Sequence, residues 1–259
     1  MMPEAPLLEV RELSKVFGGV TALDRLTLGV RAGSITALIG ANGAGKTTLF
    51  DIVSGLTRPN SGEVLFAGRT LTGARPDTIA RCGIGRTFQN TRLFRQSTVL
   101  DNVMLPWRYE RGESLWAALS GTARDEERRG EQRAIELLAL VGLSDTVERR
   151  ANDLSHGQRK LLEIARCLAF NPALLLLDEP MAGLSPLVVS QMKQLMRRLC
   201  DAGKTILFIE HNVPVVMDIS DVVLVLHCGR KLAEGPPLAV RKDAAVMDAF
   251  LGRRGTHAT

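Results

Sequence analysis

The chain has 259 residues, and its 33 Lys and Arg against 28 Asp and Glu give a formal net charge of +5. Apolar residues make up 45% of the chain, which is too high for a disordered protein and sufficient for one large or two modest domains. No apolar run approaches the ~18 residues of a membrane-spanning helix, and the first residues lack the pattern of a secretory signal. We therefore expect neither an integral membrane protein nor a secreted one. The basic charge leaves nucleic acid, an anionic membrane surface or a phosphorylated ligand as partners.

The first part of the chain alternates between strand-like and helix-like patterns. Apolar residues at every second position of Leu8–Val10 and Leu26–Val30 predict short strands, and the β-prone run Ile35–Ile39 predicts a buried one. A glycine-rich turn leads into a predicted helix over Lys46–Val53, and Glu63–Phe66 predicts a further strand.

The middle of the chain, from about residue 97 to residue 154, carries few strand signals and is predicted to be a mostly helical insertion. Its mixed-sign tract Arg124–Arg129 is typical of a solvated helix face. The tract leads into an amphipathic helix with Ala134, Leu138 and Val141 on one face.

The last part returns to alternating strands and helices. The predicted elements are a helix that Ser155 can cap, a strand over Ala173–Leu177, a helix with Val188, Met192, Leu195 and Leu199 on its apolar face, strands over Thr205–Ile209 and Val222–Leu226, and a final helix to about Leu251. Such alternation is typical of an α/β fold with a largely parallel sheet and helices on both faces.

The cysteines carry little functional information. Cys82, Cys167, Cys200 and Cys228 are widely spaced, without a C-x-x-C pair or a histidine at metal-ligand spacing. This pattern predicts reduced thiols in a cytoplasmic chain and does not favour a zinc site.

The glycine-rich segment Gly40–Thr47 fits the pattern G-x-x-x-x-G-K-[ST] in full. Its glycines let backbone N–H groups turn inward around a phosphate, at the positive end of the following helix. Lys46 is expected to bridge the β- and γ-phosphates of a nucleotide, and Thr47 to hold Mg²⁺. The predicted nucleotide-binding residues of this segment are Gly40, Ala41, Asn42, Gly43, Ala44, Gly45, Lys46, Thr47 and Thr48.

Two carboxylates, Asp178 and Glu179, directly follow a predicted apolar strand. Alone they would indicate only a strand end, but the carboxyl end of a central strand lies near the phosphate crevice of such sheets. Asp178 is therefore expected to hold Mg²⁺ through water, and Glu179 to polarise the attacking water.

The segment Leu154–Gln158 predicts a capped helix start. A serine hydroxyl and free N–H groups at such a start form a second anion site, to which we assign Ser155, Gly157 and Gln158. Since a helical insertion separates the two phosphate-binding elements, we expect a head-to-tail pair of chains, each completing the other's site.

Together these motifs resemble the ATP-binding subunits of ABC transporters over nearly the whole chain. Gly40–Thr47 is similar to the Walker A motif, Leu154–Gln158 to the LSGGQ signature and Leu174–Glu179 to the Walker B motif. The resemblance implies a P-loop ABC ATPase of the α/β class, with a mostly parallel sheet, an N-terminal antiparallel β part and an inserted α-helical subdomain. The expected bounds are 1–88 and 159–235 for the core, 89–158 for the helical subdomain, and 236–259 for a C-terminal helix and tail.

The resemblance also implies roles for three single residues. Gln89 is similar to the Q-loop glutamine, which touches Mg²⁺ and senses the membrane domain, and His211 to the switch histidine, which contacts the γ-phosphate. Phe17 matches the aromatic residue that stacks on adenine, although packing in the core or at a sheet edge is an equally simple interpretation of it.

Two positions depart from the family pattern. His156 replaces the usual first glycine of the signature, which leaves Ser155 and Gly157 in their roles. Ser185 stands where the loop after Pro180 often carries an acid, so the contacts that this loop makes across a dimer stay open.

A narrower resemblance is to importers of branched-chain amino acids. It is carried by Arg86–Phe94, Ala182–Pro186, Glu210–Asn212 and the ending Val246–Gly252. In that group two related ATPases lie under two membrane subunits, which receive the solute from a solute-binding protein.

The resemblance implies ATP and Mg²⁺ as cofactors. The partners that it implies are a second ATPase subunit, identical or related, and two permeases. It also implies peripheral attachment to the cytoplasmic face of the bacterial inner membrane. Import of urea or short amides and export of lipopolysaccharide are alternatives, because those ATPases look similar.

Two other classes of protein fit the sequence less well. A nucleic-acid-associated ABC ATPase usually has two ATPase modules or long coiled coils, whereas this chain has one P-loop, no sustained heptads and scattered arginines. We therefore expect no nucleic-acid partner. A P-loop kinase outside the ABC family would need an acceptor pocket and lid arginines in place of the signature and His211.

Overall fold

A computed structural model describes residues 5–88, 93–110 and 122–251, and these form ten strands, nine α-helices and two short 3₁₀ helices. The strands are β1 Leu8–Phe17, β2 Val20–Val30, β3 Ile35–Gly40, β4 Ser61–Phe66, β5 Arg69–Thr70, β6 Ile84–Arg86, β7 Leu174–Asp178, β8 Thr205–Ile209, β9 Val222–His227 and β10 Arg230–Gly235. The helices are α1 Lys46–Val53, α2 Pro76–Arg81, α3 Val99–Glu110, α4 Thr122–Leu140, α5 His156–Leu168, α6 Pro186–Asp201, α7 Val213–Ile219, α8 Pro237–Lys242 and α9 Ala244–Leu251. The 3₁₀ helices are Ser144–Thr146 and Ala151–Asp153.

A six-stranded sheet in the order β10-β9-β3-β8-β7-β6 carries the segments of functional interest. All neighbours in it are parallel except the edge pair β9 and β10. Every residue of β3, β7 and β8 is buried, as is usual for central strands of a parallel sheet. Ile209 is aligned with both Leu38 and Asp178, so the carboxyl ends of these three strands lie at one edge of the sheet.

A second, antiparallel sheet has the order β2-β1-β4-β5. Its apolar side chains share one core with α1 and with the parallel sheet, in which Leu13, Leu23, Phe50 and Leu224 are fully buried. The antiparallel N-terminal part predicted from the sequence is therefore present, and the predicted α/β class is confirmed.

The described residues group into two compact units. The first comprises the described parts of Met1–Arg86, Ala173–Ala182 and Met196–Thr259, and holds both sheets. The second comprises those of Thr87–Pro172 and Gly183–Leu195. In the second unit α3, α4 and α5 pack against one another. The side chains predicted on the apolar face of α4, Ala134, Leu138 and Val141, are buried there.

Several short elements were not predicted. They are β5, β6, β10, α2 and α7, each of two to seven residues. The single final helix that was predicted is two helices, α8 and α9, separated at Asp243. Strand β6 is only three residues long, and β10 is an edge strand in which no residue is buried. The sequence of such strands need not alternate between apolar and polar residues, which is the pattern that predicts a strand. Among the described residues, no helix combines the length and the apolar character that crossing a bilayer requires.

Candidate nucleotide-binding and hydrolysis site

The loop between β3 and α1 holds the amine of its own lysine. Lys46 is 7% exposed, and its Nζ donates hydrogen bonds to the carbonyl oxygens of Gly40 at 2.8 Å and Ala41 at 3.0 Å. Burial lowers the pKa of Lys46, and the negative charges of Glu179 and Asp178 offset part of this effect. The lysine predicted to bind phosphate therefore lies against the loop predicted to cradle it, close to both predicted carboxylates.

Backbone geometry explains why glycines occupy both ends of this loop. Gly45, which precedes α1, has a φ of +101°, and a Cβ atom there would lie 2.5 Å from the carbonyl oxygen of Ala22 and 2.7 Å from Cδ2 of Leu23. A Cβ atom on Gly40 would meet the carbonyl oxygen of Leu226. Of the other predicted residues, Asn42, Gly43 and Thr47 are exposed, Ala41 and Thr48 are half-buried, and Ala44 is buried.

The two predicted carboxylates occupy different surroundings at the end of β7. Asp178 is the last residue of the strand and is buried. Glu179 follows with a φ of +48°, which is unusual for a residue with a side chain, and its N–H donates to the carbonyl oxygen of Ile209 at 3.1 Å.

His211 lies beside Glu179. Its Nε2 atom is 3.1 Å from Oε1 of Glu179, and the side chains are 44% and 21% exposed, respectively. Both residues were predicted from the sequence to act in one reaction, and the structure brings them into contact.

Two further residues of this region, Glu210 and Arg86, had no predicted role of their own, although they lie in segments that carry the narrower resemblance. Glu210 is 4% exposed, and its carboxylate accepts hydrogen bonds from the N–H groups of Met181 at 3.1 Å, His211 at 2.9 Å and Asn212 at 3.3 Å. It thus connects the segment after β7 to the segment after β8. The signal was available, because an acid directly after an apolar strand is what singled out Asp178. The second residue is Arg86, whose Nη2 lies 3.6 Å from Oδ2 of Asp178.

The predicted signature segment begins α5, in the second compact unit. The Ser155 hydroxyl accepts from the N–H of Gln158 at 3.2 Å, and the Ser155 N–H donates to Oε1 of Gln158 at 3.0 Å, which completes a capping box. Gly157 is buried, and a Cβ atom there would lie 3.0 Å from Cγ1 of Val188. The helix start is therefore locked by its own side chains and packed closely at its first turn.

Of the other residues that the sequence singled out, three are exposed and one lies outside the described residues. Phe17 ends β1 with 48% of its surface exposed, and the Nζ atom of Lys15 lies 4.8 Å from its ring centroid, so it is not a core residue. Ser185 is exposed. His156 is exposed, and its imidazole lies next to Gly183: Nε2 is 3.5 Å from the position that a Cβ atom would take there. Gln89 lies outside the described residues.

A glycine-rich loop between a buried strand and a helix, with a lysine held against it and carboxylates at the neighbouring strand end, defines a P-loop nucleotide-binding protein. The family model for ABC transporters matches residues 23–182, and the chain belongs to this family. It is therefore an ATP-binding ATPase of a transport system, as the resemblance in the sequence indicated.

The chain is similar to known proteins over most of its length. It is 39% identical over 250 residues to the high-affinity branched-chain amino acid transport ATP-binding protein LivG of Salmonella typhimurium, which covers 95% of this chain and 98% of the relative. A nucleotide-free ATP-binding cassette from an ABC transporter aligns with a TM-score of 0.83 and 32% identity, over 94% of this chain and 98% of the other. A bacterial ABC transporter cassette solved as a dimer aligns with a TM-score of 0.76 and 26% identity, over 89% and 98% of the two chains.

Proposed function

We propose that this chain is the ATP-binding subunit of an importer for branched-chain amino acids. The observation that carries this proposal is the 39% identity to LivG of Salmonella typhimurium across nearly the full length of both chains. The ATPase activity is common to the family, so the solute class is the new element of the proposal.

The residues of the site fit a nucleotide bound with Mg²⁺. Among the described residues, no group of three or more His, Cys, Asp or Glu side chains could hold a metal ion. This agrees with the way Mg²⁺ usually binds, through one or two carboxylates together with substrate phosphates. Asp178, buried at the strand end, and the exposed hydroxyl residue Thr47 in the first turn of α1 would hold it. When bound, Mg²⁺ supplies positive charge that stabilises the phosphate oxygens.

The chain's own residues account for binding and for activation of water. The N–H groups at the start of α1 and the ammonium group of Lys46 bind the phosphates, for which Lys46 exchanges its bonds to Gly40 and Ala41. Glu179 accepts a proton from the attacking water, and His211 holds the carboxylate in place through the 3.1 Å contact. Glu210 holds the segment after β7 and the segment after β8 together through its three backbone hydrogen bonds.

The signature segment would act in a dimer. Ser155, Gly157 and Gln158 offer a hydroxyl and a tightly packed helix start to the nucleotide bound by a second ATPase subunit, identical or related. The similar cassette solved as a dimer supports the pairing of two such subunits. We further propose that Gln89, with Mg²⁺ and the permease as its contacts, and Phe17, with adenine, complete the site.

In this proposal two permease subunits and a solute-binding protein are the other partners, and the chain is attached peripherally to the cytoplasmic face of the bacterial inner membrane. ATP closes the dimer, and closure moves the permeases. Urea or amide import and lipopolysaccharide export are the competing functions within the family.

The test is solute uptake in cells that lack the gene for this chain. We expect loss of high-affinity uptake of radiolabelled leucine, restoration by the wild-type chain, and no restoration by the Glu179→Gln variant. Uptake of radiolabelled urea serves as the matched control. Normal leucine uptake in the deletion strain, together with loss of urea uptake, would overturn the proposed solute and favour the alternative.

A further inference from the structure

The guanidinium group of Arg86 lies between the two elements that carry the proposed magnesium ligands. Arg86 ends β6, and its side chain is 7% exposed. Its Nη1 donates to Oδ1 of Asp51 at 2.8 Å and to the Ser54 hydroxyl at 2.7 Å, while Nη2 lies 3.6 Å from Oδ2 of Asp178. Its Cζ atom is also 5.6 Å from the ring centroid of buried Phe50.

These contacts join α1 to the end of β7. Asp51 lies one helical turn after Thr47 on α1, so the two side chains share a face of the helix. Asp178 is the last residue of β7. One arginine therefore connects the helix that carries Thr47 to the strand that carries Asp178.

Asp178 lies near two positively charged side chains, Arg86 and Lys46. Two carboxylates, Asp51 and Asp178, share one guanidinium, and the Asp178 side chain is 7% exposed. A buried carboxylate needs a partner, and the ammonium group of Lys46 also interacts with Asp178.

We propose that Arg86 is a positioning residue for the nucleotide-bound magnesium ion. It sets the position of Asp178 relative to Thr47 by holding α1 with one nitrogen and the β7 carboxylate with the other. This proposal rests on the magnesium site of the proposed function. A lysine cannot replace it, because an ammonium group is a point charge on a single flexible stem and cannot span the three oxygen partners.

The measurement is the Kd of a fluorescent ADP analogue for the full chain, once in Mg²⁺ and once in EDTA. The quantity of interest is the Kd in EDTA divided by the Kd in Mg²⁺. This ratio reports how much the metal strengthens nucleotide binding, without any turnover. We expect the ratio to fall about 10- to 100-fold in Arg86→Met and in Arg86→Lys, as is typical when a residue that orients a metal ligand is lost. The Kd in EDTA should change much less than the Kd in Mg²⁺, because Arg86 contacts α1 near its end, at Asp51 and Ser54, and not at its phosphate-binding start.

Asp51→Asn provides a second variant that is milder for the fold, since the Asp51 side chain is 32% exposed. We expect a smaller fall of the ratio in the same direction, and no additional fall when it is combined with Arg86→Met. Arg69→Met, at an exposed arginine of β5, is the matched control and leaves the ratio unchanged. Thermal unfolding of each variant checks that the fold is retained.

Three outcomes would overturn the proposal, and they have different meanings. A wild-type ratio near one would remove the magnesium site itself, and with it this part of the proposed function. A normal wild-type ratio that is unchanged in both Arg86 variants would remove the role of Arg86 alone. A ratio that rises in Arg86→Met while Arg86→Lys stays normal would show that Arg86 only competes with the metal as a charge.

Discussion

The Nε2 atom of His211 lies 3.1 Å from the Oε1 atom of Glu179. The two residues follow the carboxyl ends of β8 and β7, which are parallel neighbours. A histidine from one strand end thus holds the carboxylate that follows the other, close to the P-loop lysine.

His211→Ala should therefore slow ATP hydrolysis much more than it weakens ATP binding. Without the imidazole the carboxylate of Glu179 is no longer held in place, and we expect kcat to fall about 100-fold, within the usual range for a positioned acid–base group. His211→Gln, which can still donate a hydrogen bond, should retain part of the rate. Steady-state phosphate release and equilibrium ATP binding measure the two effects, and an unchanged kcat would refute this role.

Two glycines of the P-loop provide a matched pair. Both have positive φ, but a Cβ atom on Gly45 would clash with Ala22 and Leu23, whereas one on Gly43 meets no described atom within 4 Å. Gly43→Ala should cost about 1 kcal/mol of unfolding free energy for the left-handed backbone alone. Gly45→Ala should cost about 3 kcal/mol, because overpacking adds to the strain.

Urea denaturation of the two glycine variants measures this difference directly. Equal losses of stability would mean that the close approach of Gly45 to β2 adds nothing to the cost of a Cβ atom there. Gly45→Ala should also weaken ATP binding more than Gly43→Ala, because the backbone conformation of the loop sets the positions of the N–H groups that bind phosphate.

Local chemistry explains which parts of the structure were predictable from sequence. The start of α5 was predicted because Ser155 and Gln158 satisfy each other's backbone groups within four residues. Strand β6 was not predicted, because its three residues become a strand only by pairing with β7, far along the chain. The position of Glu210 directly after an apolar strand was a local signal, but its hydrogen bond to Met181 was not predictable, since the two residues are 29 positions apart.

The four cysteines should separate into two reactivity classes. Cys82 and Cys228 are exposed, whereas burial raises the pKa of the Cys167 thiol to about 12 and also raises the pKa of Cys200. Because the thiolate is the reactive form, we expect a disulfide reagent at about pH 8 to label two thiols quickly and the other two only after unfolding. A rise in pH toward 9 should still leave Cys167 unlabelled, because its pKa is about 12.

Labelling of the Cys82→Ser/Cys228→Ser double variant provides the control, since it should leave no fast-reacting thiol. Rapid labelling of three or four thiols in the folded wild-type chain would contradict the burial of Cys167 and Cys200.

The most direct test of the account is the Glu179→Gln variant. Glutamine keeps the size of the side chain and a hydrogen bond to His211 but cannot accept the proton of the attacking water, so hydrolysis should fall about 100- to 10,000-fold. ATP binding should be retained, and the variant should accumulate as an ATP-bound dimer in size-exclusion chromatography. Steady-state ATP hydrolysis at the wild-type rate by Glu179→Gln would contradict the role of Glu179 as acceptor of the proton.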